Sequence, residues 1–300
     1  MIQILYHIKK FLLDYFFAEE TDEYLEKLIT KYYELFPKKN KGIRNRHARR
    51  KIIISLTTIP DRIDKVWITV ESLLRQTYKP DQIILWLAQD EFEGIELPDK
   101  LKQQMKRGLA IRYCDNLRSY KKFYYTAVEN PQAYIVTVDD DIIYAEGMLE
   151  KLLKAYKKNP GSIICTRSHW ITMRNGRVLP YDNWVNFNKR KKIPEYPAYG
   201  NFFTSGGGTL LPIFMMDKRL FEKDIFMEIA PTADDVWLNF CAWVSGLKIK
   251  NVDGILGHVI LIKSSSKKGL SLVNLKKNNN DEQIKKVIEY LNINIRNYIG

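Results

Sequence analysis

From residue 51 to residue 160 the chain repeats one pattern, in which a short apolar run leads through a turn into an amphipathic segment and then into another apolar run. "KIIISLTT", "DQIILWLA", "AIRYC" and "YIVTV" are rich in β-branched and large apolar residues and too short for helices, so they read as strands buried on both faces. Between them, "DKVWITVESLLRQT" puts Trp67, Val70 and Leu74 on one helical face, "PDKLKQQMKRG" is opened by Pro98 and closed by Gly108, and "SYKKFYYTAVEN" supplies another helix. "GMLEKLLKAYKKNPG" follows and stops at Pro160 and Gly161. Strict alternation of this length predicts an α/β fold, a mostly parallel sheet with helices on both faces. Such sheets bind ligands beyond the carboxyl ends of their strands. Thr57, Thr58, Gln89, Asp90, Asp115 and three consecutive aspartates fall at that edge.

The aspartates stand in "AYIVTVDDDIIYAEG", residues 133–147. Carboxylates this close disfavour ionising together unless a cation joins them. In an extended segment Asp139 and Asp141 share a face and Asp140 takes the other. Oxygen-only ligation with few protein ligands suits Mn2+ or Mg2+, with water and a substrate's phosphates completing the shell. The competing reading is an acidic turn that caps the helix beginning near Glu146.

Four further features belong with the aspartates. "TTIPDR" ends the first strand with hydroxyls, a proline and Arg62, and "SYKK" places Lys121 and Lys122 at a helix start directed at the same edge, where cations and free N–H groups favour a phosphate. "TSGGGTLLP" carries Gly206, Gly207 and Gly208, which let a backbone approach a ligand closely. "PTADDVWLNF" sets a second acidic pair, Asp234 and Asp235, at a helix N-terminus. Each has a bland explanation in a solvated side chain, a plain turn or a cap. Together they supply what a nucleotide-diphosphate substrate and a hydroxyl acceptor require: a metal, a cation for developing charge, a close backbone and a general base.

Taken in order, "SLTTIPDR", "SYKKFYYTA", "VTVDDDIIY", "SGGGTLLP" and "ADDVWLN" resemble the bacterial GT-A-fold, family-2-like glycosyltransferases of capsule and surface polysaccharide synthesis. The likeness covers roughly residues 51–260, with an echo in "NNNDEQIKKV". It implies transfer of a sugar from a nucleotide diphosphate, most often UDP, to a hydroxyl of a glycan or lipid-linked oligosaccharide, with inversion. By position, Asp139 and Asp141 match the metal-binding Asp-x-Asp. Thr57, Pro60 and Arg62 match the nucleotide pocket, with Lys121, Lys122 and Asp140 on the donor side, Gly206 to Gly208 at the sugar or acceptor, and Asp235 as base. The chain departs from the family at "WLAQDEF", where an acidic residue commonly ends the second strand, and in having Asp-Asp rather than Glu-Asp, so Asp234 stays beside Asp235 as a catalytic candidate. It lacks a Gln-x-x-Arg-Trp motif, which argues against a processive synthase. Two rivals stand: a phosphohydrolase with Asp139 as nucleophile, disfavoured because three strands precede it, and a non-catalytic carbohydrate- or membrane-binding scaffold.

The rest of the chain frames this domain. Residues 1–50 read as a helical extension and basic arm, 51–265 as the transferase domain with a nucleotide half to 160 and an acceptor half beyond, and 266–300 as a tail with a helix. In the N-terminal twenty residues Ile4, Ile8, Leu12 and Phe16 recur at helical spacing, but Lys9, Lys10 and Asp14 interrupt the run short of a membrane span. Formal net charge is +13, and residues 37–51 hold eight Lys or Arg and no acid, which reads as a solvated arm able to touch an anionic membrane surface. No nucleic-acid-binding signature accompanies it. Cys114, Cys165 and Cys241 fit neither a disulfide framework nor a zinc pattern and read as buried thiols of a cytoplasmic protein, peripheral at the inner face of the membrane. His258 reads as a loop histidine.

Overall fold

The computed structural model describes residues 18–44, 50–175, 177–184, 194, 196–253, 259–263 and 279–299. The first seventeen residues and His258 lie outside them. Seven strands form the central sheet: β1 (Ile52–Thr57), β2 (Gln82–Ala88), β3 (Leu109–Cys114), β4 (Tyr134–Val138), β5 (Ser162–Cys165), β6 (Gly207–Pro212) and β7 (Lys248–Asn251). Their order is β7-β5-β6-β4-β1-β2-β3, and β6 alone is antiparallel to its neighbours. The expected mostly parallel α/β sheet is therefore present.

Alternation along the strands explains why each reads as continuously apolar. Ile53, Ile84, Ile135, Ile163, Leu211 and Ile249 point into one core, while Ile54, Leu56, Ile83, Leu85, Val136, Ile164 and Leu210 point into the other. The second core is covered by α1 (Ala18–Leu35), α2 (Val66–Leu74), α3 (Asp99–Met105) and α5 (Met148–Lys158). The first is covered by α4 (Tyr124–Glu129), α6 (Lys223–Ile229), α7 (Asp234–Val244) and α8 (Asn279–Tyr290). The helix expected over "SYKKFYYTAVEN" is split, because a 3-10 turn at Arg118–Lys122 precedes α4.

The first and last described helices, α1 and α8, both enter these cores. Leu25, Ile29 and Tyr33 of α1 are buried, and the Asp22 carboxylate accepts the Leu261 N–H at 3.2 Å. The basic stretch is not a solvated arm over residues 42–44. Gly42 donates to the Arg107 carbonyl, Arg44 clamps both Asp81 oxygens at 2.8 and 3.1 Å, and it also donates to the Tyr78 hydroxyl. Asp81 in turn accepts the Ile52 N–H at the start of β1, so the charge has a structural partner that composition could not reveal. All three cysteines are buried free thiols. Among the described residues no helix is long and apolar enough to cross a membrane.

Candidate active site

The site begins where β4 ends. Strand geometry stops at Val138 and Asp139–Asp141 form a turn, so the strict two-face alternation expected of them does not hold. Asp140 is buried and engaged by the protein itself. It accepts from Arg62 Nη1 at 2.6 Å and from the Thr58 hydroxyl at 2.5 Å, while its carbonyl accepts from Thr69 at 2.6 Å. Arg62 reaches this position because Pro60 opens a 3-10 turn, Pro60–Arg62, directly after β1, and the same guanidinium lies 3.4 Å from Asp141. Thr57 instead donates to the Trp86 carbonyl.

Asp139 and Asp141 remain open, with side chains 41% and 28% exposed. Burial first, then the charges of Asp139 and Asp140, lifts Asp141 to about 6. Three carboxylates share the Arg62 and Lys122 cations, and the remaining negative charge with only oxygen donors fits a hard divalent cation. Among the described residues no three His, Cys, Asp or Glu side chains gather as a metal cage, so Asp139 and Asp141 are the residues that could hold such a cation.

The glycines meet these aspartates because β6 runs backwards. Its amino end lies at the carboxyl edge of β4, with Gly207 opposite Val138 and the Asp139 N–H donating to the Gly206 carbonyl at 3.2 Å. A Cβ on Gly206 would fall inside the Asp139 carboxylate, one on Gly207 would meet the stem of Arg167, and Gly208 adopts φ +98° at a bulge between Gly207 and Thr209. The buried Tyr144 hydroxyl pins the junction, donating to the Gly206 carbonyl and accepting the Asp139 N–H at 2.8 Å.

Lys122 joins this cluster to the second acidic pair. Its buried ammonium donates to Asp139 Oδ1 at 2.9 Å and lies 3.1 Å from Asp234 Oδ2. Burial opposes its charge, yet the carboxylates of Asp139, Asp234 and Asp235 win and hold its pKa above the ordinary lysine value. Lys121 points elsewhere, to Asn116 at 3.2 Å and Glu91 at 3.4 Å beyond β3 and β2. A cleft of about 970 Å3 opens there, lined by Gln89, Asp90, Tyr113 and Asp115.

Asp234 and Asp235 open α7 and both converge on Ser205. The Ser205 hydroxyl donates to Asp234 at 2.7 Å and its N–H to Asp235 at 2.7 Å. Asp234 is buried. Asp235 keeps some surface, but atoms crowd it closely, and burial followed by the Asp234 charge raises it to about 6. The helix N-terminus favours the ionised form, but desolvation and the neighbouring Asp234 charge outweigh that pull. Sequence reasoning missed Ser205, Thr69 and Tyr144. Ser205 had a usable signal, a hydroxyl directly before three glycines at a sheet edge, whereas Tyr144 and Thr69 had none.

Residues 123–221 match the profile of the family described as Glycosyl transferase family 2. The matched segment contains the aspartate turn and the glycines and ends before Asp234. Sequence comparison with curated proteins gives no match. Among solved structures, the chain is similar to mannosyltransferase PcManGT from Pyrobaculum calidifontis in complex with GDP-Man and Mn2+, with TM-score 0.52 and 12% identity over 97% of this chain and 76% of that one. It also aligns with S. aureus TarS 1–349 in complex with UDP, with TM-score 0.45 and 14% identity over 68% of this chain. The chain spans 58% of that TarS chain, less than two thirds of its length. The likeness to the mannosyltransferase is one of fold: the sheet and its helices have the GT-A architecture.

Proposed function

We propose that this protein transfers a sugar from a nucleotide diphosphate to a hydroxyl of a glycan or lipid-linked acceptor, with inversion. The observation that carries the reading is the position of Lys122, whose ammonium contacts Asp139 on one side and Asp234 on the other. A cation fixed between a donor-side and an acceptor-side carboxylate is what stabilises charge leaving with a diphosphate while a hydroxyl attacks. Asp139 and Asp141 would hold Mn2+ or Mg2+, which when bound neutralises charge on the departing diphosphate. Asp235, lifted to about 6 and still mostly ionised at neutral pH, accepts the acceptor's proton. Asp234 and Ser205 orient it and Lys122, Arg62 and Asp140 brace the turn, and the cleft beyond β2 and β3 has room for a nucleoside.

The test is thermal shift and calorimetry with UDP- and GDP-sugars, with and without Mn2+, followed by assay of nucleoside diphosphate release. A donor should raise the melting point only with the metal, and Asp141→Asn should abolish that gain while folding normally. An unchanged metal-dependent gain in Asp141→Asn removes the metal site, and absence of binding by any nucleotide sugar removes the whole reading.

A further inference from the structure

The short hairpin of Met173–Arg174 and Arg177–Val178 sets Arg174 directly opposite Arg177. Like charges in cross-strand register repel. Neither guanidinium has an acidic partner among the described residues, and neither does Arg296. Arg44, Arg62, Arg75, Arg107, Arg112 and Arg219, by contrast, all form ion pairs. Arg177 and Arg296 also line one cleft of about 540 Å3, with Val178, Ile288, Ile293 and Ile295 as its apolar wall. None of its lining residues belongs to the site built around Asp139 and Asp235.

Charge and shape together define an occupant. Guanidinium groups favour phosphate because they bind its oxygens in a fork, and a phosphate in the cleft would meet Arg177 and Arg296 while offsetting the repulsion that Arg174, beside the cleft, exerts on Arg177. The isoleucines and Val178 have no use for a bare ion but would shelter a hydrocarbon chain. We propose that this cleft binds a phosphate ester carrying an alkyl chain, the phosphate against the arginines and the chain along Val178, Ile288 and Ile293. The inference is independent of the sugar-transfer reading, since binding there needs neither nucleotide nor metal.

Calorimetry with octyl phosphate, inorganic phosphate and octanol, without nucleotide, separates the parts. Octyl phosphate should bind the full chain at least about tenfold more tightly than either of the others, burial of the chain supplying the gain over inorganic phosphate and charge-assisted hydrogen bonds the gain over octanol. The combined Arg174→Gln, Arg177→Gln and Arg296→Gln variant should lose this binding, and Arg174→Lys with Arg177→Lys, which keeps the charge but not the fork, should bind at an affinity between that variant and wild type. Arg174→Gln alone, without ligand, should melt no lower than wild type because it relieves a repulsion, which guards against mistaking misfolding for lost binding. Equal affinity for octyl phosphate and inorganic phosphate, or undiminished octyl phosphate binding by the triple variant, overturns the proposal.

Discussion

Gly206 and Asp139 occupy space that a single additional carbon would make incompatible: a Cβ at 206 would overlap the carboxylate at 139. The glycine carbonyl also accepts the Asp139 N–H, so neither residue can retreat without breaking the register of β6 on β4.

Gly206→Ala should therefore displace Asp139 and cost about 1–3 kcal/mol, the usual price of overpacking. Metal-dependent nucleotide affinity should fall more than tenfold, because the displaced group is one of the two open carboxylates. Calorimetric titration with Mn2+ and nucleotide checks this, and wild-type affinity in the variant would show that the turn tolerates the shift.

Asp235→Asn should bind nucleotide and Mn2+ normally yet transfer sugar about 10²- to 10⁴-fold more slowly, the typical effect of a lost base. Asp234→Asn should act chiefly on stability, since it removes a buried partner of Lys122 and costs about 3 kcal/mol. A turnover assay beside a melting curve for each variant distinguishes the roles. Reversed effects would exchange the two assignments.

The pH dependence of Asp235 has two opposite signs. As base it must be ionised, so kcat/KM should fall about tenfold per pH unit below about 6. An unfolded aspartate titrates near about 3.9, so between about 4 and 6 the native state binds the proton more tightly and stability declines as pH rises through that window, then levels. Removing the charge should make Asp235→Asn about 1–3 kcal/mol more stable than wild type at pH 8 and no more stable at pH 4. Melting curves at the two pH values decide it. A stability difference unaffected by pH would mean that the carboxyl is not strained by burial.

Truncation separates the two parts of the N-terminal region. Removing residues 1–17 leaves Leu25, Ile29, Tyr33 and Arg44 in place and is the reference for the longer deletion. Removing residues 1–51 strips those contacts from α2 and Asp81 and should cost about 5 kcal/mol or more, at about 2 kcal/mol per large apolar side chain. Urea denaturation of both fragments measures the difference, and two equal midpoints would contradict the packing of α1.

The sheet was legible because buried strands and amphipathic helices leave different periods in the sequence, and the four runs from "KIIISLTT" to "YIVTV" fall on β1 to β4. The clustering of Arg62, Lys122, the aspartates and the glycines at one edge could be anticipated from strand ends alone. What separates Lys121 from Lys122 could not, since their divergence depends on a 3-10 turn that has no pattern of its own. Nor could the reversed direction of β6, which is settled by pairing across many intervening residues. The hairpin at Arg174 and Arg177 did carry a local signal, Asn-Gly between short extended runs, and Asn175 indeed has φ +52°. The docking of residues 42–44 was hidden because a run of basic residues looks solvated until its carboxylate partner, here Asp81, is found in space.

The reversed strand also sets an order of events during synthesis. β4 gains its second neighbour only once residues 207–212 have left the ribosome, so until then one edge of β4 is bare and the turn at Asp139 has no glycine strand against it. A nascent or truncated chain ending before β6 should thus have a half-built sheet with an open edge, prone to association. The turn that carries Asp139 and Asp141 is therefore completed by a late, long-range pairing rather than by the strands that immediately precede it.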